Sequence, residues 1–251
     1  MDTDPCKSLA DRAVKPCLER WGLADELKAV RVRYDRGGKD EEVVRRILSD
    51  AAVREALGMP SVEDDAAVRV ERLEVTATSL SLLDPIGASD VMLASGRARQ
   101  CQQVEIGGVE CDSELRKWLA RRKLERDVAH GVINEEERDL DEARLSVDFS
   151  KQADRELLYR LFEVLALGGP LAQPDFELEP YLVCTKALYR DAVQVYKRSS
   201  DGATCLANEA YEAAGPLVFG GDPRPLARCF VITEPKRAKA LVLFSPARGM
   251  W

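Results

Sequence analysis

The residues best placed to do chemistry are a glycine pair, a lone histidine, scattered cysteines and a few acidic runs. The stretch LFEVLALGGPLAQP, from Leu161 to Pro174, sets Gly168 and Gly169 against a segment of helical periodicity. A phosphate-gripping loop places its glycines before a helix, where free N–H groups and the positive end of the dipole face the anion. Here the glycines follow the helix, at its carbonyl-rich end, and no Lys-Ser or Lys-Thr comes after them. Gly168, Gly169 and Pro170 therefore read as a structural turn, with a left-handed glycine stopping the helix and a proline preventing its continuation.

The remaining candidates give less. His130 is the one histidine in the chain and lies in a polar break, HGVIN, between charged blocks. Any Ser-His or Cys-His nucleophilic pair would have to use it, and its surroundings read as exposed. The seven cysteines, Cys6, Cys17, Cys101, Cys111, Cys184, Cys205 and Cys229, contain no C-x-x-C pair. That pattern suits reduced thiols in a cytosolic protein and lacks the short spacings of a zinc site. Glu63, Asp64 and Asp65 form an acidic run without the glycine and terminal glutamate of a calcium loop, so they read as a solvated loop. No catalytic, cofactor-binding or metal-binding residue is assigned, and no cofactor is expected.

Composition narrows the partners. The chain has 251 residues, 45% hydrophobic and 32% charged, with a net charge of −7. An acidic balance opposes general attraction to nucleic acid or anionic membrane and suits a protein partner. ELRKWLARRKLER mixes cations with Trp118, but Trp118 shares a helical stripe with Leu115 and Leu119, so burial is the simpler expectation. No apolar run approaches the roughly 20 residues that span a bilayer, and the acidic N-terminus MDTDPCKSLADR lacks the apolar core of a signal peptide. A soluble protein is expected.

The elements that would position these residues follow from periodicity. Val14, Leu18 and Trp21 recur at helical spacing, with Pro16 expected to kink or interrupt the helix. AVRVRY alternates as a half-buried strand, and KDEEVVRRILSDAAVREALG reads as a helix stopped by Gly58 and Pro60. AVRVERLEV, from Ala67, is a second strand whose alternation changes phase, implying a bulge or an early end. Leu80 to Gln103 is hard to read.

From Asp112 a basic block and then an acidic block, EEERDLDEAR, suggest either a helical hairpin or one solvated connector, and its surface is either bland or a partner-binding arm. Ser150 is a candidate N-cap for a helix with Leu157, Leu158, Leu161, Phe162 and Leu165 inward and Asp154, Arg155, Arg160 and Glu163 in water. YLVCTKALYRD is expected as a short helix, and AVQVYK and ATCLA as a hairpin. RCFVITEP and KALVLFSP are two near-continuously apolar strands, which implies burial on both faces. The fold class is α+β: an antiparallel sheet with covering helices in the C-terminal half and a smaller N-terminal α+β unit. The expected domains are 1–111, a charged helical connector at 112–149, and 150–251 ending in a β-hairpin.

The second half closely resembles the cilia- and flagella-associated protein 300 family. ELLYRLFEVLALGGPLAQPDFELEPYLVCTKALYRDAVQVYK carries a leucine-glycine-glycine corner followed by a proline-tyrosine-leucine, threonine-lysine and tyrosine pattern. The matching positions are Gly168, Gly169, Pro180, Tyr181, Leu182, Thr185, Lys186, Tyr189 and Asp191, and the hairpin CFVITEPKRAKALVLFS matches as well. WGLADELKAV, SLSLLD and DSELRKWL are weaker matches. Two features depart from the family: the charged stretch from Ala120 to Leu145 is longer than its usual connector, and the tail ends in RGMW.

The resemblance implies a non-enzymatic factor for assembly or transport of the outer and inner axonemal dynein arms, acting in the cytoplasm and in the cilium or flagellum, at the axoneme. The implied partners are dynein arm preassembly factors, axonemal dynein subunits and the intraflagellar transport machinery. Pro180, Tyr181, Lys186 and Tyr189 are taken as a family-matching surface, and the charged segment and the Pro174–Tyr181 loop as further candidate surfaces. The alternatives are a permanent axonemal structural component or an enzyme with a carboxylate-based site, which a deep pocket lined by two converging acids would reveal.

Overall fold

A computed structural model describes residues 3–63, 66–129, 149–150, 152–168, 176–197, 202, 204–221 and 226–246. In chain order the elements are β1 (Thr3–Pro5), α1 (Lys15–Arg20), β2 (Lys28–Arg33), α2 (Asp40–Ser49), α3 (Ala51–Leu57), β3 (Arg69–Leu73), α4 (Asp84–Gly87), β4 (Gln100–Ile106), β5 (Val109–Ser113), α5 (Glu114–Ala129), α6 (Leu157–Leu167), α7 (Leu178–Ala192), β6 (Val195–Lys197), β7 (Thr204–Leu206), β8 (Glu209–Ala214), α8 (Pro216–Phe219), β9 (Arg228–Glu234) and β10 (Lys239–Ser245). The class is α+β.

Six strands form one antiparallel sheet in the order β1-β2-β10-β9-β8-β3. The β9–β10 hairpin lies at its centre, which accounts for the unbroken apolar character of both strands: each side chain meets a core whichever way it points. Cys229, Val231, Ala240, Val242 and Phe244 face a layer built on α2, α3 and α8. Phe230, Ile232, Leu241 and Leu243 face the opposite layer, which contains α1, α5, α6 and α7. β2 and β3 come from the first 111 residues and β8 to β10 from beyond residue 150, so strands of the two halves share one sheet. β8, with sequence EAYEAA, was not foreseen, because its alternation sets small and acidic residues against one another where strand periodicity normally shows branched ones.

Local chemistry explains several boundaries. Pro16 sits in the first turn of α1, where a missing N–H costs nothing, so it begins the helix and does not kink it. The periodic stretch after Lys39 divides into α2 and α3 at Asp50, whose carboxylate accepts from Ala52 N at 3.0 Å and Val53 N at 3.2 Å. Ser150 does not cap α6; its hydroxyl accepts from Ala153 N at 3.1 Å, at the start of a short 3-10 turn, Ala153–Arg155. α6 starts later, after an extended Glu156.

Two expectations are corrected. Arg160 and Glu163 do not face water: every residue of α6 is buried, with Arg160 2% and Glu163 0% exposed. The basic block from Asp112 is not a solvated connector over its described length. As α5 it buries Leu115, Trp118, Leu119 and Leu124, and with them the charged Arg116 and Lys123. HGVIN, including His130, and the acidic block after it lie outside the described residues. The β6–β7 hairpin forms as expected, Val195 opposite Leu206.

Candidate functional site

Among the described residues, a concentration of buried charge lies where α5 and α6 meet the sheet. Glu71 of β3 and Glu212 of β8 stand directly opposite in the register, a like-charge pair that would destabilise the sheet on its own. Arg160 of α6 bridges them, with Nη2 at 3.6 Å from Glu71 and 3.1 Å from Glu212. One turn on, Glu163 accepts both carboxylate hydrogen bonds from Arg126 of α5, at 2.8 and 2.6 Å, and has Arg160 and Arg228 each at 3.8 Å. Arg228 also reaches Glu212 at 3.4 Å, and Lys123 pairs with Asp127. Burial raises the Glu163 pKa, but the three guanidinium charges outweigh it and bring the group down to about 2. Burial together with the charge of Arg228 lowers Lys123 to about 8.

This arrangement is a lattice of alternating charges. A carboxylate ionised down to about pH 2 is a poor general base or acid at neutral pH. The cavity beside it, lined by Arg69, Glu71, Arg126, Arg160 and Glu212 among others, measures about 20 Å³. That is room for about one water. Among the described residues, Arg126 Nη1 and Arg160 Nε are buried without a hydrogen-bond partner, and both belong to residues lining this space. Among the described residues no cluster of three or more His, Cys, Asp or Glu is placed to hold a metal ion. All seven cysteines are free thiols, and burial pushes Cys111 and Cys184 up to about 12, which keeps them protonated and unreactive. Among the described residues no helix is long and apolar enough to cross a membrane.

Of the turn residues, Gly168 ends α6 with φ 72° and ψ −162°. The positive φ is as expected, but ψ lies outside the left-handed helical region, in a conformation that is essentially glycine-only. Gly169 and Pro170 lie outside the described residues, as do Asp64 and Asp65; Glu63 is exposed. Pro180 falls within the first turn of α7, which runs longer than the short helix expected. Tyr181 is no surface residue: its ring stacks on Trp21 at 4.4 Å between centroids. Tyr189 is likewise buried and donates to Ala77 O at 2.9 Å. Of the four residues taken as a surface, Lys186 is exposed and Pro180 half-buried.

At the end of the same helix, Asp191 accepts from Cys6 Sγ and Ser8 N, both at 2.9 Å, and pairs with Arg31. Burial raises Asp191, while these hydrogen bonds and the Arg31 charge lower it further, so the carboxyl sits below its ordinary value. Sequence reasoning missed Arg126, Glu163, Arg160 and Glu212 as a cluster. Their signal was weak: two opposite charges three residues apart on a helix otherwise apolar all round.

A comparison with protein families matches residues 1–244 to cilia- and flagella-associated protein 300. The chain belongs to the cilia- and flagella-associated protein 300 family. Among its relatives, the Chlamydomonas reinhardtii cilia- and flagella-associated protein 300 is 24% identical over 267 residues, covering 97% of this chain and 95% of the relative. The Paramecium tetraurelia protein of the same name is 25% identical over 211 residues, covering 81% of this chain and 75% of the relative. No solved structure matches the chain. Membership in the cilia- and flagella-associated protein 300 family places the chain at the cilium or flagellum. The residues that carried the resemblance include Tyr181, Tyr189 and Asp191. Each ties α7 to a segment of the first 111 residues, through Trp21, Ala77, and the Cys6, Ser8 and Arg31 group respectively.

Proposed function

We propose that this chain is a non-enzymatic factor for assembly or transport of the outer and inner axonemal dynein arms, working through protein contacts in the cytoplasm and the cilium. Its partners are dynein arm preassembly factors, axonemal dynein subunits and the intraflagellar transport machinery. The observation that carries this reading is the family match across residues 1–244. The buried charges support it: they are spent on one another, joining α5, α6 and the sheet, beside a cavity of about 20 Å³. Small-molecule sites are typically about 300 Å³ or more.

Affinity purification from the soluble cytoplasm of ciliated cells tests the proposal. Dynein heavy chains and preassembly factors are expected to co-purify. Stoichiometric retention in salt-stripped axonemes, with no dynein in the soluble purification, would contradict it and indicate a permanent axonemal component.

A further inference from the structure

The face of the sheet that carries α1, α5, α6 and α7 holds a cavity at one end. Beyond the last turn of α7 a cavity of about 90 Å³ opens between Arg31, Gln194, Asn208 and the turn that joins β9 to β10. Ile232 and Leu241 contribute its apolar floor, and Arg237, Lys239 and Glu234 stand on its walls. Lys239 is paired in register with Arg33, and Leu241 with Arg31. Alternate residues share a face, so Arg31, Arg33 and Lys239 all project on this side of the sheet. Like charges directly opposite across strands are destabilising, and both Arg33 and Lys239 are exposed.

The nearby acids offset only part of this. Glu234 pairs with Arg237 at 3.1 Å. Asp191 pairs with Arg31 and also takes hydrogen bonds from Cys6 and Ser8. Arg31, Arg237 and Lys239 at the cavity, with Arg33 opposite Lys239 in the register, thus outnumber Glu234 and Asp191, a local positive excess on a chain of net charge −7. Asn208 accepts from Gln194 N at 2.6 Å through its carbonyl oxygen, which leaves its amide N–H groups as donors.

The turn itself is strained. Ala238 has φ 51°, the one positive φ at a non-glycine position among the described residues, and its carbonyl accepts from Tyr34 N at 3.0 Å. Such strain persists where the surroundings impose it, and here it fixes the turn between Arg237 and Lys239. Lys236 of the same turn lies 4.7 Å over the Tyr196 ring. Tyr196 and Val195, the residues after Gln194, are 41% and 61% exposed, so exposed apolar surface adjoins the cationic cavity.

We propose that this end of the sheet is a docking site for an acidic segment of a protein partner. One carboxylate or phosphate group sits among Arg31, Arg237 and Lys239, and a neighbouring apolar residue lies against Tyr196 or Val195. The site rests on the protein-binding reading above and supplies a surface for it. Polynucleotides and anionic membranes fit less well, because the rest of the acidic chain repels them.

The test is fluorescence anisotropy of the full chain with three labelled peptides: one rich in Asp and Glu with a central Leu, the same with phosphoserine replacing one Glu, and the same with Lys replacing the acids. The variants are Lys239→Glu, which turns the like-charge pair with Arg33 into an opposite-charge pair and so keeps the fold, and Lys239→Glu combined with Arg237→Glu. Both acidic peptides are expected to bind, more weakly as salt rises, and about tenfold more weakly to the double variant, a difference near 1.4 kcal/mol. Tighter binding of the phosphopeptide identifies phosphate as the group seated; equal binding identifies carboxylate. Equal affinity for the Lys peptide, unchanged affinity in both variants, or preferential binding of RNA or phosphatidylserine vesicles would overturn the site. Those outcomes leave the dynein-arm reading standing, whereas normal arms in cells lacking the protein would overturn that reading and leave the peptide result intact.

Discussion

Arg126 of α5 gives one nitrogen to both carboxylate oxygens of Glu163 of α6, at 2.8 and 2.6 Å, in a site where Glu163 has no exposure to solvent. The pair docks a helix of strongly polar composition against the apolar helix at the centre of one core layer. Removing one partner of such a pair leaves the other charged and buried, which costs far more than the intact pair contributes.

Glu163→Gln is therefore expected to destabilise the fold by about 3–5 kcal/mol. The acid limb of stability should change with it. The folded-state carboxyl lies at about 2, below its ordinary 4.5, so its contribution is fully present above pH 4.5 and is lost as pH falls toward 2. That contribution is about 3 kcal/mol by linkage. Urea denaturation between pH 2 and 7 checks this: the wild type should lose stability through that window more steeply than the variant.

Lys123 carries the opposite sign. Its pKa is lowered from 10.5 to about 8, so the charged form is penalised in the fold at all pH values below 8. Wild-type stability gains as pH rises from 8 toward 10.5, where the folded lysine is neutral and the unfolded one still charged. Lys123→Met is expected to be neutral or stabilising by up to about 2 kcal/mol at pH 7, with the advantage shrinking across that window. Arg160→Met, which leaves Glu71 and Glu212 opposed, is expected to cost about 3–5 kcal/mol. Melting curves of the two variants at pH 7 and 10 decide both points.

The contacts of α7 with the first half predict one cooperative unit. Tyr189→Phe removes the hydrogen bond to Ala77 O and is expected to cost about 1 kcal/mol. Trp21→Ala removes the stacked partner of Tyr181 and is expected to cost about 3–5 kcal/mol. Far-UV circular dichroism and tryptophan fluorescence should report coincident urea transitions in the wild type. Separate transitions would show that the halves unfold independently.

Gly168→Val is expected to cost about 1–3 kcal/mol, because φ 72° with ψ −162° is strained for any residue with a Cβ. Its melting temperature against wild type is the measurement, and an unchanged value would contradict the turn geometry.

The sequence made the local elements legible where side-chain period was clean. AVRVRY became β2, the final apolar strands became the central hairpin, and the Gly168 corner ended α6. Their burial on both faces was also readable, because no polar residue interrupts CFVI or ALVLF. What the sequence concealed is non-local. Nothing in AVRVERLEV signals that β3 pairs with EAYEAA, about 140 residues later, since strand pairing is set by packing and leaves no local mark. Charge misled in the same way. Arg160, Glu163, Arg116 and Lys123 looked like solvent-facing residues, and only the partners brought in by the fold make their burial tolerable. The cationic end of the sheet was invisible for a further reason: Arg31, Arg33, Arg237 and Lys239 meet only once β2 and β10 are in register.

Electron tomography of axonemes from cells lacking the protein tests the proposed dynein-arm role. Cilia of normal length whose outer and inner arms are depleted, and restored by re-expression, are expected. Full arm occupancy on axonemes that lack the protein would contradict that role.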